Sequence, residues 1–465
     1  MREPRALPQG EDRRRLCFLA NGMNRHEREE LAQHVLAYSD ADQTEVLIAT
    51  EDAAWSRFTH NAIHQNLAYA NASASIRTIV DHRTGVAATN VLDADALHDA
   101  VRRATAMARL APRDPAQPLL PAHAAYSPAE GAFSASTADA TPHQRAELCK
   151  ALFESASSRY YWCAGFTRTM QSGISVVNSQ GARASFDGTD AAINVKMNGP
   201  DSTGYAEAYT TDVSRLDASE LGERSAKKAA ASKSPRAARP GHWTVILEPA
   251  AFGEFFSCIT GHFSAQSVDE GSSFLCDSLD RKCAGSNVTI WDDYAHPLAP
   301  GMPFDFEGAP TQRIALVKDG VAAAFVTDSY WAAKIAKPNT GHALPAPNTF
   351  GPMPRNTVIE PGTKSVEQLI AETERGLLIT RFWYLRPVDE RRTIITGMTR
   401  DGTFMIEDGQ LTHGVRNLRF NQSVLEALSA CEFSKTQLRT ASYHYSTVVP
   451  AVKIERFNFS SETDF

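Results

Sequence analysis

Two carboxylates stand between aromatic rings in the second half of the chain. Residues 303–308 read Pro-Phe-Asp-Phe-Glu-Gly, which places Asp305 and Glu307 beside Phe304 and Phe306. Acidic side chains are rarely buried without a partner, so this pattern favours two acids that face water or a ligand. The alternative is a structural turn with a surface ion pair, which would contribute little to stability.

Two further stretches place a guanidinium in an unusual setting. Residues 373–384 run from a predicted helix end into a strongly apolar strand that still carries Arg381. Residues 395–409 form a glycine-punctuated hairpin with Arg400 and Asp401 at its turn. A guanidinium can hold a carboxylate through two parallel hydrogen bonds. Taken alone, each stretch is also explained as a structural turn with an ion pair.

Common catalytic and cofactor signatures are missing from the sequence. It contains no Gly-x-Ser-x-Gly nucleophile elbow, no Walker loop and no Gly-x-Gly-x-x-Gly. His60 and His64 lie four residues apart in sequence typical of strands, where they would share a face. A partly exposed sheet surface explains this pair better than a metal site does. Neither a nucleotide cofactor nor a histidine metal site is therefore predicted here.

Composition excludes several classes of protein. The 465 residues include 47 Lys and Arg against 54 Asp and Glu, a net charge of −7, which argues against binding of nucleic acid. No apolar run approaches the ~18 residues that cross a bilayer, so no membrane association is predicted. The seven cysteines show no Cys-x-x-Cys spacing, which favours reduced thiols and a cytoplasmic location.

The first half of the chain is predicted to combine helices with antiparallel strands. Residues 1–22 are interpreted as a disordered extension, and Met23 is an alternative start. Apolar periodicity predicts helices at 25–38, 94–110, 143–158 and 216–232, and strands at 46–48, 57–58, 63–65, 72–80, 162–171, 172–178 and 182–197. Residues 111–142 are rich in Pro, Ala and Ser and are predicted to form a surface connection, either a lid or a tether.

The second half is predicted to be β-rich. After a basic linker at 236–241, a strand at 243–247 and a helix at 250–263 precede short strands that continue to residue 420. Three Asp-Gly pairs indicate tight turns, and helices are expected only at 366–374 and 424–430. The fold class is therefore α+β: an N-terminal α/β domain at 23–235 with an antiparallel sheet and flanking helices, then a barrel-like antiparallel C-terminal domain at 240–465.

Several short motifs in fixed order resemble the TldD/PmbA (TldE) family of metallopeptidase-related proteins. The resemblance covers nearly the whole chain and is strongest from 303 to 420. The motifs that carry it lie at 303–308, 340–345, 354–356, 360–362, 373–384, 395–409 and 415–420, with 57–58 and 63–66 in the first half.

The resemblance implies two branches, one of which binds zinc. In the zinc branch, His-Glu-x-x-x-His on a helix supplies two ligands and a Glu that can activate water. Read onto residues 255–262, this motif places Ser257 at the first ligand, Cys258 at the Glu and His262 at the second ligand. The zinc branch also uses a late Cys in a Cys-Gly-Lys context, which Cys431 does not match. The chain therefore resembles the metal-free TldE/PmbA-like branch.

One alternative keeps a metal in this chain. Cys258 and His262 would lie at positions i and i+4 of one predicted helix, and a thiolate with an imidazole can begin a zinc site. Cys276 or Cys283 would have to complete it. The default interpretation is that Cys258 is a small buried apolar residue.

By resemblance, this chain pairs with a TldD-like, zinc-bearing homologue, and the joined domains enclose a chamber in which a peptide-like substrate adds as a strand. No cofactor is expected in this chain, and zinc is expected in the partner. Asp305 and Glu307 would then orient a substrate amine or a partner's arginine, His342 would donate to a substrate carbonyl, and Arg381 and Arg400 would hold a carboxylate. Internal ion pairs are the alternative for both arginines.

Two other functions stay open. A homodimer of metal-free chains would bind peptides or a partner as a regulatory protein, without hydrolysis. A complex with the zinc-bearing homologue could instead cleave an amide in a small biosynthetic intermediate, since relatives of the family serve natural-product maturation. The sequence does not distinguish an unfolded peptide from such a peptide-like small molecule.

Overall fold

Two β-sheets, each built from one continuous part of the chain, organise the molecule. The computed structural model describes residues 22–441 and 446–463. Nearly all of the predicted extension at 1–22 lies outside these residues. None of the helices in the described ranges is long and apolar enough to cross a membrane.

The first sheet has six antiparallel strands in the order β3-β2-β1-β4-β5-β6. Its strands are β1 (Gln43–Thr59), β2 (Ala62–Val80), β3 (Arg83–Thr89), β4 (Trp162–Asn178), β5 (Arg183–Asn198) and β6 (Thr203–Thr210). The accompanying helices are α1 (Arg25–Leu36), α2 (Ala94–Leu110), α3 (Ala135–Ala138), α4 (Pro142–Ser157) and α5 (Ala218–Ala231). Apolar side chains of α1 and α2 form one core with β1 and β2, and those of α4 and α5 form another with β4 and β5.

Local sequence explains most of these boundaries. The helix predicted at 94–110 is confirmed at both ends. Asp93 is its N-cap, and the Asp93 side chain accepts a hydrogen bond from the N–H of Ala96. The separate strands predicted at 162–171 and 172–178 are wrong, because β4 is continuous. It pairs along its length with β1 on one side and β5 on the other, so backbone pairing maintains the strand through Gln171 and Ser172.

The predicted connection at 111–142 runs over the surface and contains the short helix α3. Leu120 is buried, and its N–H donates to the Gln43 side chain at 2.7 Å. The Tyr126 ring packs against Phe304, with ring centres 5.1 Å apart. The segment therefore attaches the first sheet to the second half of the chain.

The second sheet contains the strands that follow residue 240. These are β7 (Gly241–Leu247), β8 (Ile290–Asp292), β9 (Ile314–Lys318), β10 (Val321–Ala322), β11 (Asn356–Ile359), β12 (Arg375–Asp389), β13 (Ile394–Glu407), β14 (Gln410–Gly414), β15 (Leu418–Ser423), β16 (Cys431–Ala441) and β17 (Ser446–Glu462). Strands β17, β15, β13, β12 and β7 pair in turn, and β7 pairs again with β17. This closed ring confirms the barrel-like architecture, although β7–β12 and β11–β17 are parallel pairs.

The second half of the chain also contains six short helices within the described ranges. They are α6 (Pro249–Ser257), α7 (Ala265–Asp269), α8 (Leu275–Ser278), α9 (Ser329–Lys334), α10 (Val366–Ala371) and α11 (Val424–Ser429). Helix α9 was not predicted; the Asp328 side chain caps it by accepting from the N–H of Trp331. The division into domains at 23–235 and 240–465 stays a prediction, since the two sheets also contact each other.

Helix α6 is shorter than predicted. It ends at Ser257 instead of continuing to residue 263, and a separate 3₁₀ turn covers Thr260–Phe263. Ile259 and Thr260 are β-branched and Gly261 follows, and all three have weak helix propensity. Cys258 and His262 therefore do not lie on one continuous helix.

Candidate functional site

Helix α6 places a carboxylate among aromatic residues. Phe252, Phe255 and Phe256 pack into the core of the second sheet, whereas Glu254 lies on the other side of the helix. Burial raises the pKa of Glu254 to about 7, although the positive charge of Arg381 lowers it. Its Oε2 atom is shielded from solvent and has no hydrogen-bond donor within the described ranges. Glu254 is therefore poised to exchange a proton near neutral pH.

Arg381 joins α6 to the first sheet. Its guanidinium lies 4.4 Å from the centre of the Tyr205 ring on β6, and 3.8 Å from Asp401 on β13. Burial alone would lower the pKa of Arg381, but Tyr205, Glu254 and Asp401 raise it. The charge of Arg381 thus balances several acids where the two sheets meet.

Strand β6 contributes a second carboxylate to this interface. Tyr205, Glu207 and Tyr209 alternate along β6 and share one face. Both tyrosine hydroxyls donate to Glu207, the one from Tyr209 at 3.2 Å. Burial raises the pKa of Glu207, while the Tyr205 hydroxyl and Arg381 oppose the shift. We call Glu254, Arg381, Tyr205, Glu207 and Asp401 the intersheet cluster.

A cavity of about 480 Å³ adjoins the intersheet cluster at Asp401. Three cationic side chains line it, those of Lys196, Arg400 and Arg416, together with the two acids Asp201 and Asp401. Lys196 is 2.9 Å from Asp401, whereas the Arg400 guanidinium lies over the Trp383 ring, with its Cζ atom 4.2 Å from the ring centre. No hydrogen bond or ion pair engages the Arg400 guanidinium within the described ranges, so it could bind an anionic group in this cavity.

Ser257, Cys258 and His262, the residues at the positions of the zinc-binding motif, interact with other groups of this chain. The Ser257 hydroxyl donates to the backbone oxygen of Glu254 at 2.8 Å, and the Cys258 thiol donates to the same oxygen at 3.5 Å. Burial, with a contribution from Glu254, raises the pKa of Cys258 to about 12. Burial also lowers the pKa of His262, with Glu390 opposing the shift.

These residues do not fit a zinc ion. Zinc takes thiolate, imidazole or carboxylate ligands, but Ser257 supplies a hydroxyl, and the Cys258 thiol already donates to the backbone oxygen of Glu254. The imidazole of His262 lies in the turn beyond the helix. Within the described ranges, no group of three His, Cys, Asp or Glu side chains could hold a metal ion. Cys276 and Cys283 therefore do not complete a site with Cys258 and His262.

Asp305 lies in a different part of the structure from the intersheet cluster. Its side chain is fully buried and accepts the N–H groups of Glu307, Ala309 and Ala343, each at 2.9 Å. Burial and the neighbouring Glu307 raise the pKa of Asp305. Asp305 does not face water, because its carboxylate organises a buried turn, and its contact with a ligand stays a prediction.

Glu307 and His342 are also buried among protein partners. Glu307 is 2.8 Å from Arg77 on β2, and burial alone would raise its pKa, but Arg77 lowers it. His342 Nε2 is 2.8 Å from Asp292, and its Nδ1 is 2.9 Å from the Thr340 hydroxyl. Contact with substrate stays a prediction for both residues, and their observed partners belong to this chain.

Sequence reasoning thus found part of the site. Arg381 and Arg400 are opposite each other in the β12–β13 pair, and Ser257 and Cys258 lie at the end of α6, but Glu254, Tyr205 and Glu207 were missed. Two signals were present in the sequence: an acid between Phe252 and Phe255, and the alternation Tyr-Ala-Glu-Ala-Tyr at 205–209.

Two family profiles match the sequence. The profile of the PmbA/TldA metallopeptidase C-terminal domain covers residues 240–461, and that of PmbA/TldA metallopeptidase domain 1 covers residues 56–108. Together they span more than half of the chain.

Curated relatives carry metalloprotease names. A metalloprotease of Methanothermobacter thermautotrophicus is 26% identical over 277 residues, which are 56% of this chain and 59% of the relative. Metalloprotease PmbA of Escherichia coli O157:H7 is 27% identical over 233 residues, 49% of each chain. The matched region thus spans about half the length of these relatives.

The fold is shared with a solved structure. The crystal structure of TldE from Thermococcus kodakarensis superposes with a TM-score of 0.84 at 22% identity, covering 93% of this chain and 99% of that one. At this identity the likeness shows the common fold, with both sheets in place.

Proposed function

Because this chain belongs to the PmbA/TldD metallopeptidase family, we propose that it is the non-metal, TldE-like subunit of a zinc metallopeptidase complex. The complex would hydrolyse amide bonds in unfolded peptides or in a peptide-like small molecule. A TldD-like homologue would supply the zinc, and this chain would form part of the substrate chamber.

The observation that carries the proposal is the chemistry at the end of α6. At the positions where the resemblance expects two histidines and a glutamate, the chain has Ser257, Cys258 and His262. The hydroxyl and the thiol both donate to the backbone oxygen of Glu254. Intact family motifs around donors that do not fit zinc are what a non-metal subunit requires.

Within the complex, the cationic cavity is the proposed contribution of this chain to substrate binding. Arg400 would hold a substrate carboxylate while its guanidinium rests against the Trp383 ring, 4.2 Å from the ring centre. Arg381 would act differently, since it already balances Asp401 and Glu254. Its proposed role is to position the wall of the cavity on which Asp401 lies.

The test is the zinc content and the native mass of the purified chain, alone and after co-expression with a zinc-motif homologue from the same genome. We expect no zinc in the chain alone and a stable zinc-containing heteromer on co-expression that cleaves unfolded peptides. About one zinc per isolated chain would contradict the proposal. A chain that forms no complex and supports no hydrolysis would favour the homodimeric, regulatory alternative.

A further inference from the structure

A second cavity, of about 430 Å³, lies between the first sheet and the second half of the chain. Met170 on β4 and Asp190 on β5 line it from one side, and Phe306 and Arg439 line it from the other. None of the described residues that line it also lines the cavity beside Asp401. We call it the Asp190 cavity, and its volume is in the range of small-molecule sites.

Strand pairing brings Arg168 and Asp190 onto the same face of the first sheet. Asp190 is opposite Met170 in the β4–β5 pair, and Arg168 precedes Met170 by two residues. Because side chains two residues apart on a strand share a face, Arg168 projects on the same side as Asp190. The Arg168 guanidinium donates to Asp190 Oδ1.

Arg439 reaches the same carboxylate from the second sheet. It lies on β16, and its Nη2 atom is 2.6 Å from Asp190 Oδ2. Asp190 is only 6% exposed, and the side chain of Arg439 is 17% exposed. Two guanidinium groups therefore share one buried carboxylate where the two sheets meet.

The two arginines carry one positive charge more than Asp190 neutralises. Across the part of the chain that the structure describes, neither arginine forms another ion pair. Glu51 and Glu207 lie on the same face of the first sheet, but tyrosine hydroxyls donate to both of them. The group formed by Arg168, Arg439 and Asp190 thus has a net positive charge.

Both guanidinium groups keep donors that have no acceptor among the described residues. A guanidinium has five N–H donors, and Asp190 accepts one from each arginine. In particular, the Nε atoms of Arg168 and Arg439 are shielded from solvent and have no hydrogen-bond partner. A carboxylate oxygen brought to these guanidinium groups would accept charged hydrogen bonds.

Apolar residues form another part of the cavity wall. They are Met170, Phe186, Pro300, Phe306 and Pro345. A further guanidinium, that of Arg355, also lines the cavity, and it donates to the Phe304 backbone oxygen at 2.8 Å and to the Thr311 hydroxyl at 3.1 Å. The Asp190 cavity therefore combines a positive charge with an apolar surface, a pairing that suits an amphipathic anion.

We infer that the Asp190 cavity binds a monocarboxylate that carries an apolar group. The carboxylate accepts hydrogen bonds from Arg439 and Arg168, and its single negative charge balances their excess charge. The apolar group contacts Met170, Phe186 and Phe306. A peptide C-terminus with an apolar last side chain has this chemistry, and so does a small free acid. Binding needs neither zinc nor a partner chain, so the inference goes beyond the proposed function and does not rest on it.

The test is isothermal titration calorimetry of the isolated full chain with two acids and their uncharged amides. N-acetylphenylalanine represents a peptide C-terminus, and 3-phenylpropionate represents a small free acid. We expect at least one acid to bind with a Kd of about 0.1–1 mM, and its amide to bind at least about tenfold more weakly. Tighter binding of N-acetylphenylalanine would identify a peptide terminus as the ligand, whereas equal or tighter binding of 3-phenylpropionate would identify a small acid.

Four variants assign the binding to this cavity. Arg439→Gln removes one guanidinium, and Met170→Glu adds a carboxylate that competes with the ligand for the arginines. Each should raise the Kd about tenfold or more. Met170→Gln is the uncharged control, and Arg159→Gln removes a guanidinium from an ion pair with Glu223 that does not line the cavity. Both controls should change the Kd by at most about threefold. Circular dichroism checks folding, and Met170→Glu keeps both arginines if Arg439→Gln does not fold.

Two results would overturn the inference. One is that neither acid binds up to about 10 mM, or that each acid binds no better than its amide. The other is a Kd that is unchanged in both Arg439→Gln and Met170→Glu. Loss of binding in Arg400→Ala alone would belong to this second result, because the ligand would then occupy the cavity beside Asp401. That outcome would support the carboxylate site of the proposed function, so the two failures are distinguishable.

Discussion

The guanidinium of Arg381 on β12 stacks on the ring of Tyr205 on β6, 4.4 Å from its centre, and so joins the two sheets. Both side chains also contact acids, since Tyr205 donates to Glu207 and Arg381 lies 3.8 Å from Asp401. Removing the guanidinium would leave several acids facing each other at the interface.

We therefore expect Arg381→Ala to lower the free energy of unfolding by about 2–4 kcal/mol, because buried acids lose their balancing charge. Arg375→Ala is the matched control on the same strand. Arg375 also stacks on an aromatic ring, that of Trp243 at 5.1 Å, but it is exposed, so its loss should cost about 0.5 kcal/mol. Urea unfolding measures both values, and equal losses would contradict the role given to Arg381.

The raised pKa of Glu254 predicts a pH-dependent stability. Its pKa is about 7 in the folded chain against 4.5 as the ordinary value, so the folded state holds the proton more tightly. The stabilising effect of protonation is complete below pH 4.5 and is lost as the pH rises through about 7. Glu254→Gln keeps a neutral side chain at every pH. We expect the difference in free energy of unfolding between this variant and the wild type to increase by about 1–3 kcal/mol, in favour of the variant, between pH 5 and pH 8. Urea unfolding at both pH values tests this, and a constant difference would count against a titrating Glu254.

Arg400 is predicted to bind a substrate carboxylate in the complex. Arg400→Ala should raise KM for a peptide substrate about 10- to 100-fold with little change in kcat, since a charged hydrogen bond is lost in the ground and transition states alike. Arg419 on β15 is exposed and does not line the cavity, so Arg419→Ala is the control. If Arg400→Ala left KM unchanged while the fold held, the assignment of substrate binding to Arg400 would be wrong.

Asp305 is predicted to act on stability and not on substrate. Its carboxylate accepts three backbone N–H groups in the interior, so Asp305→Ala should cost about 3 kcal/mol by leaving these donors unsatisfied. Asp277 on α8 forms an exposed pair with Arg391, and Asp277→Ala should change stability by about 0.5 kcal/mol or less. A rise in KM for Asp305→Ala without loss of stability would restore the ligand-binding interpretation.

Cys258 is predicted to be unreactive in the folded chain. Its pKa of about 12 leaves almost no thiolate at pH 8, whereas Cys276 is exposed. Iodoacetamide at pH 8 should therefore modify Cys276 first and reach Cys258 only after unfolding. Peptide mapping by mass spectrometry measures the order, and early modification of Cys258 would mean that its thiol is not held as the structure indicates.

Local patterns in the sequence predicted most elements of the fold. The apolar spacing and the N-cap at Asp93 are sufficient to locate α2, and the Asp-Gly pairs at 319–320 and 408–409 form two-residue turns. The turn predicted at Asp401-Gly402 is wrong, because this pair lies inside β13 at a register shift in its pairing with β12. Long strands were divided too often, as in β4, because pairing with neighbours on both sides extends a strand beyond its local propensity.

The polar sites depend on contacts that local patterns do not contain. Glu307 looked like a ligand-facing acid because its neutralising partner, Arg77, lies 230 residues away in sequence. Asp305 looked like one because the backbone N–H groups that bind its carboxylate leave no mark in the sequence pattern. The intersheet cluster has the same origin, since Tyr205 and Arg381 belong to different sheets. Alternation along β6 could have indicated a shared polar face, but not the guanidinium that meets it.

Closure of the ring through β7 and β17 also sets an order of events during synthesis. The two strands lie at Gly241–Leu247 and Ser446–Glu462. About two hundred residues must therefore be synthesised after β7 before its antiparallel partner β17 exists. The first sheet can form during that time, because all six of its strands have emerged by residue 210. Until β12 emerges at residue 375, the apolar side chains of β7 and α6 have no partner strand to cover them. The nascent second half is thus the part of the molecule that chaperones are expected to bind.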